Sequence, residues 1–357
     1  MLKKILVALD HSDFSQQTFM QSVVLAKATH AKLMLFHVIS STEEGYPVLP
    51  LIPDILEDYD LSQTEVTTSY LKDLDVFKAN SLELLRSRSN QAKEQGISVV
   101  YQQSIGDPGR EICEIARQWN ADTIIIGRRS RNLLSKLLLG SVSNYVTHHA
   151  PCSVLIVHHQ EVPEFAPQQP IDTLEANQPS TEEWREKLLY RSILVAIDGS
   201  SINQQIFNVA VKIAKTMSTA RLMLLHVLPP DVAKVPISSA PPTAFAQQRL
   251  DDYPSLRDDI LYSQQRQWNA YDSDCLPQLR SYTAIAREAG IPAEFIQQPG
   301  SPGEVICEFA KNRSSDLILV GNRGRSGLRE MLLGSVGKYV ANHASCSVMV
   351  VRPQQPA

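Results

Sequence analysis

The chain has little of what would mark a nucleic-acid binder, a secreted scaffold or a membrane protein. Its 357 residues hold 34 Lys and Arg against 38 Asp and Glu, a net charge of −4. No Lys/Arg stripe appears, so an electrostatic surface for nucleic acid is not expected. The five cysteines are an odd count in a large chain. That fits a reducing cytoplasm better than a disulfide framework. No stretch approaches the roughly 18 apolar residues of a membrane span. Lys3-Lys4 precedes apolar Ile5–Leu9, but this run of five residues ends at Asp10. It is too short for a signal core. The expectation is a cytoplasmic protein with no membrane partner.

Where the glycines fall is the most informative feature. Gly321-Asn322-Arg323-Gly324 is followed by nine residues and then Gly334-Ser335. Gly127-Arg128-Arg129-Ser130, nine residues, and Gly140-Ser141 repeat that frame. Glycine lets backbone N–H groups approach an anion. The Gly-Ser pair opens a helix whose N-terminus favours negative charge. Ser130 stands where the second copy has Gly324.

The frame belongs to a longer duplication. Residues 2–39 match 190–228 with one gap, and 106–157 match 300–351 without one. Positions 127–157 and 321–351 share 17 identities in 31. The halves are therefore read as two copies of one domain, 1–159 and 189–357, since units this long are domains and not solenoid repeats. Between them, 160–188 reads as a linker carrying Pro163, Pro167, Pro170 and Pro179. A short helix is expected at its end, with Ser180 and Glu183 as a capping box. Trp184, Leu188 and Leu189 would pack that helix down.

Within each copy, short apolar runs alternate with helical patterns. Ile5–Leu9 and Leu33–Ile39 read as buried strands, and Ile97–Gln102, Thr123–Ile126 and Ser153–Val157 as the third, fourth and fifth strands. Helices are expected at 14–29, 68–95, 110–119 and 140–149. The fold class is α/β, a parallel sheet with helices on both faces, made twice. Two long irregular segments, 40–66 and 229–260, are the least alike. They read equally as lids or as surface decoration.

Ligands bind beyond the carboxyl ends of such strands, where strand order reverses. Asp10 and Asp198 end the first strands, and the glycine frames follow the fourth. If those strands are neighbours, carboxylate and phosphate-holding loop share one crevice. An aspartate there can accept hydrogen bonds from a ribose or base edge, so the combination reads as a nucleotide site.

On these residues the chain resembles the universal stress protein family in its tandem form. The motifs are Asp198-Gly199-Ser200, His226-Val227 and Gly321 to Ser335, with Asp10-His11-Ser12, His37-Val38 and Gly127 to Ser141 in the first copy. The resemblance implies a Rossmann-like fold, two open parallel five-stranded sheets ordered 3-2-1-4-5. It also implies an ATP site, with adenosine near the Asp and the His-Val valine and phosphates on the glycine frame. In the second copy the implied site residues are Ala196, Ile197, Asp198, Ser200, Val227, Gly321, Arg323, Gly324, Gly334, Ser335 and Val336. In the first they are Ala8, Asp10, Ser12, Val38, Gly127, Arg129, Ser130, Gly140, Ser141 and Val142. The second copy follows the pattern throughout. The first departs at Ser130 and at His11, which replaces Gly199. Serine is disfavoured where φ must be positive, yet its hydroxyl can donate to phosphate. Arg128, Arg129 and Arg131 add positive charge nearby.

Plainer readings stand beside these. Asp10 and Asp198 could cap the next helix. His37 and His226 read as structural histidines. His149-Ala150-Pro151-Cys152 and His343-Ala344-Ser345-Cys346, with His148, His158 and His159 nearby, lack the spacing of a closed zinc site, so no metal is expected. Cys113 and Cys307 read as buried small hydrophobes. Arg323 and Arg325 are loop charges or phosphate contacts. The fifth strands are apolar sheet edges, which the resemblance implies pair with each other within the chain or between chains of a homodimer.

The expected function is a nucleotide-responsive stress regulator holding ATP, with Mg2+ accompanying it. AMP or a cyclic nucleotide stays open, because the frame does not count phosphates. The alternatives are a weak ATPase or self-phosphorylating enzyme on the same fold, or a non-binding scaffold. The sequence has no P-loop G-x-x-x-x-G-K-[ST] and no Ser-Gly-Gly-x-Asp-Ser loop, so no catalytic residues are assigned.

Overall fold

A computed structural model describes residues 2–12, 14–48, 65–128, 139–158, 190–217, 220–228, 275–322 and 333–353. The expected linker and its short helix lie outside these residues, as do Arg129, Ser130, Arg131, Arg323, Gly324, Arg325 and most of the two irregular segments. The chain divides into two compact units, Tyr190–Val351 and the remainder.

In the first unit, β1 (Lys4–Leu9), β2 (Lys32–Ile39), β3 (Val99–Ile105), β4 (Thr123–Gly127) and β5 (Ser153–Val157) alternate with α1 (Phe14–Thr29), α2 (Glu65–Glu94), α3 (Pro108–Gln118) and α4 (Ser141–His149). All strand pairs are parallel, in the order β3-β2-β1-β4-β5. Val7 lies opposite Leu35 on one side and Ile125 on the other. Each of these three side chains is fully buried. Strands covered on both faces need such unbroken apolar runs.

The second unit repeats this with β6 (Ser192–Ile197), α5 (Asn203–Thr216), β7 (Arg221–Leu228), α6 (275–288), β8 (Ala293–Pro299), α7 (Pro302–Asn312), β9 (Leu317–Gly321), α8 (Ser335–His343) and β10 (Ser347–Val351). Its order is β8-β7-β6-β9-β10, again parallel. No helix among the described residues is long and apolar enough to cross a membrane.

Several element bounds differ from the sequence reading by one to three residues, and two of these shifts have a plain local reason. The third strand starts at Val99 and not at Ile97. Gly96 takes φ +76 after α2, and the Ile97 amide donates back to Ala92 O at 3.1 Å. Ile97 thus closes the helix, its side chain buried at the cap. The third helix starts at Pro108, two residues before the expected start, because proline suits the first helical position. Asp107 caps it, accepting from the Arg110 amide at 2.9 Å.

Both units carry the same pin at the amino end of the central strands. Asp122 Oδ2, just before β4, accepts from the amides of Lys3 at 2.7 Å and Lys4 at 2.9 Å. Asp316 Oδ2, just before β9, accepts from Arg191 and Ser192, both at 2.8 Å. A carboxylate on two backbone amides sets the register of the two strands that flank the crevice.

Candidate functional site

The crevice forms where β1 and β4 run side by side. Ala8 pairs with Ile126, which brings the carboxyl ends of the two strands together. The chain leaves β1 toward β2 on one side and β4 toward β5 on the other, so this is the reversal point of the strand order. A cavity of about 470 Å³ opens there. All eight described site residues of the first copy line it: Ala8, Asp10, Ser12, Val38, Gly127, Gly140, Ser141 and Val142.

The lining residues missed from the sequence include Phe14, Ser15 and Thr18 of α1 and two groups that form walls. Pro108 and Ile112, on the first turns of α3, form one wall. Ser40, Thr42 and Glu43, from the segment after β2, form another. The first group had a signal in Gly106-Asp107-Pro108-Gly109, a turn that leads into α3. The second had none, because the segment has neither period nor motif.

Asp10 is held by its own loop. Its Oδ1 accepts from the Ser12 amide at 3.0 Å and from the Ser12 hydroxyl. Its amide donates to Ser15 Oγ at 3.1 Å. In the second copy, Asp198 Oδ1 accepts from the Ser200 amide at 2.9 Å. The Asp198 amide donates to Asn203 Oδ1 at 3.4 Å. Neither aspartate is the residue that caps the next helix. Helix α1 starts at Phe14, and α5 follows Ile202. The Asp-x-Ser motif is instead a self-bonded turn that fixes a carboxylate at the strand end.

The opposite end of the crevice suits an anion. Gly140 is the N-cap of α4 and Gly334 that of α8, both extended and without a side-chain cap bond. A helix start leaves its first amides without intrahelical acceptors, and the helix dipole adds positive potential there. Ser143 Oγ donates to Gly127 O at 2.9 Å, tying the helix start to the strand end. A Cβ at Gly127 would fall 2.8 Å from Thr18 Oγ1, so a side chain there would crowd α1. In the second copy Gly334 donates to Asn322 O at 2.7 Å. Val336 packs on the core cluster around Val320 and Leu333. Ala196 and Ile197 sit opposite Leu225 and His226, which places Asp198 beside Val227 at the end of the sheet. Gly321 ends the adjoining β9.

The two copies part at His11. Gly199 takes the left-handed region, φ +79. The described non-glycine residues that do so are His30, Asn120 and Ser314, so His11 follows another path. Its Nδ1 lies 2.9 Å from Glu43 Oε1, and its amide donates to the same oxygen at 3.2 Å. His37 Nε2 lies 2.9 Å from Oε1 and 3.1 Å from Oε2. Burial would raise the Glu43 carboxyl, but the bonds from His11 and His37 outweigh it and hold the group at about 2. The bond to Glu43 raises His11 above its ordinary value, against the opposing effect of burial. His37 is thus a partnered histidine, in keeping with the structural reading. In the second copy His226 is fully buried with Nδ1 3.3 Å from Gln297 Nε2.

Three of the other histidines considered from the sequence, His148, His149 and His343, bond to the backbone of their own helices. Nδ1 of His148 lies 2.7 Å from Asn144 O, and Nδ1 of His149 lies 2.9 Å from Tyr145 O. His343 repeats this on Tyr339 O at 2.8 Å. None of the five cysteines is in a disulfide. Cys113 is buried as expected, whereas Cys307 is only half-buried.

Comparison with known proteins agrees with this duplicated architecture. The profile of the Universal stress protein family matches residues 1–158 and again 189–352. Universal stress protein Sll1388 of Synechocystis is 33% identical over 156 residues, which is 44% of this chain and 97% of that protein. Universal stress protein YxiE of Bacillus subtilis is 34% identical over 164 residues, 46% of this chain and 100% of that protein. Each therefore corresponds to one of the two halves. The crystal structure of a universal stress protein from Archaeoglobus fulgidus covers 99% of this chain and 97% of its own, with TM-score 0.59 and 19% identity. That similarity speaks to the fold.

Proposed function

Because the chain belongs to the universal stress protein family, with the domain present twice, we propose that it binds adenine nucleotide and acts as a nucleotide-responsive regulator. The observation that carries this reading is the cavity of about 470 Å³ at the β1–β4 reversal point, with all eight described site residues of the first copy on its wall. Its size falls in the roughly 300–1,000 Å³ range of small-molecule sites. Ala8, Val38, Ile112 and Ile126 offer apolar surface for a flat base. The Asp10 carboxylate, fixed by Ser12, is placed to accept from ribose hydroxyls. The N-terminus of α4 behind Gly140 offers amides and dipole to phosphate. Mg2+ would accompany a triphosphate. The second copy is read the same way, from Asp198, Val227, Gly321 and the Gly334-Ser335 helix start, with Arg323 and Gly324 completing the frame. Binding changes the loops that wall the site, and a partner reads that change.

The test is calorimetric titration of nucleotide-stripped protein with ATP, comparing the wild type with Val38→Trp. Val38 is 7% exposed and lines the cavity. An indole there fills the space the base would take. The expected result is loss of one ATP equivalent per chain. Undiminished stoichiometry in Val38→Trp, or no binding by the wild type, contradicts the reading.

A further inference from the structure

Three donor groups of the first copy converge on one point beside the cavity. His11 Nδ1, His37 Nε2 and a Glu43 carboxylate oxygen all lie within 4.8 Å of one another. They come from three places: the turn after β1, the end of β2 and the segment that follows it. We propose that His11, His37 and Glu43 form a binding site for a divalent first-row transition metal, zinc foremost, present in the first copy of the domain. It does not depend on the nucleotide reading.

The donor set and spacing carry this. Two imidazoles with one carboxylate suit zinc and related ions, and three protein donors leave a position for water. Both histidine nitrogens lie 2.9 Å from Glu43 Oε1. Zn–N and Zn–O bonds of about 2.0 Å at tetrahedral angles set donor atoms about 3.3 Å apart. Each contact therefore needs to open by only a few tenths of an ångström. Metal entry displaces the ring protons that now point at Glu43, and the carboxylate exchanges two hydrogen bonds for one metal bond.

The surrounding groups suit metal-bound rings. Ligating histidines hold their second nitrogen with a hydrogen bond. His11 Nε2 is 3.3 Å from Ser81 Oγ, whose own proton goes to Phe77 O at 2.8 Å. Ser81 Oγ therefore accepts from an Nε2–H, the tautomer that leaves Nδ1 for a metal. His37 Nδ1 faces the Gln103 amide at 3.5 Å. With that amide turned over, its oxygen accepts the Nδ1–H, and the side chain must draw away from Lys78 O, to which Nε2 now donates at 3.4 Å. His37 is buried, Glu43 nearly so, and His11 keeps 27% side-chain exposure, which gives an ion a way in. The second copy has Gly199 in place of His11. A bound ion would fasten the Ser40–Glu43 wall of the cavity to the ends of β1 and β2.

The experiment uses the full chain, stripped of metal and nucleotide, titrated with Zn2+ in competition with a chromophoric chelator. One tight equivalent is expected. His11→Gly, which installs the residue of the second copy, and Glu43→Gln should each weaken it on the order of a hundredfold or more. Failure to bind Zn2+ in competition with the chelator overturns the site. So does wild-type affinity in both variants, which would put the ion on other histidines. X-ray absorption of the zinc-loaded wild type needs no variant to fold. Two imidazoles with oxygen in the first shell support the site, and any sulfur or a single imidazole contradicts it.

Discussion

Cys152 is 9% exposed, and burial pushes its thiol up to about 12; burial likewise lifts Cys113 to about 11. An ordinary thiol near 8.5 is about one-quarter ionised at pH 8, so Cys152 should hold on the order of a thousandfold less thiolate. We predict that alkylation of the folded protein at pH 8 reaches half-buried Cys307 first and leaves Cys113 and Cys152 unmodified until the protein unfolds. Time-resolved peptide mass spectrometry checks this, and early labelling of Cys152 would contradict it. At this scale the sequence was readable for chemistry and less so for exposure and local bonding. That Cys113 is a buried small hydrophobe followed from the helical pattern around it. That Cys307 keeps partial exposure did not, because its helical pattern is nearly the same. Asp10 and Asp198 were placed at strand ends correctly. Their turn bonds to Ser12 and Ser200 were hidden, although the Asp-x-Ser spacing carried the signal.

Most strands were legible as short apolar runs of a length no helix would use, whereas β3 (VVYQQSI) and β8 (AEFIQQP) carry polar residues and stay partly exposed. Strand ends were less legible. Ile97 is as apolar as any strand residue, yet it closes α2 because Gly96 turns the chain first. What joins elements was the least visible. Asp316 belongs to no motif in the sequence, yet its Oδ2 holds the amides of Arg191 and Ser192 at 2.8 Å each. Removing it leaves two strand-end amides without that acceptor. Asp316→Ala should cost about 1–3 kcal/mol, an order-of-magnitude expectation for charge-assisted bonds at a part-exposed site. Urea denaturation would show the midpoint fall with little change in slope, and an unmoved midpoint would sink the pin. Glu43 is the extreme case. It sits in a segment with no period or motif, and only the fold carries it to His11 and His37.

For the whole molecule the duplication was the strongest signal, and it alone exposed where the copies differ. Two halves with nearly the same glycine frame and the same Asp-x-Ser motif give the same sheet order about the same reversal point. A single copy would have left His11 and Ser130 looking like ordinary loop residues. Against the second copy, His11 marks the place where one backbone path and one set of contacts were exchanged for another. Whether both crevices hold nucleotide is the central claim, and it belongs to the chain as a unit. The direct measurement is to purify the protein, denature it, and quantify the adenine nucleotide released per chain by ion-exchange chromatography, with added ATP to saturate the sites. The account predicts two equivalents per chain, falling to one in Val38→Trp and to one in Gly324→Val. No release and no retention of added ATP would contradict it and leave the two domains as a scaffold without a nucleotide.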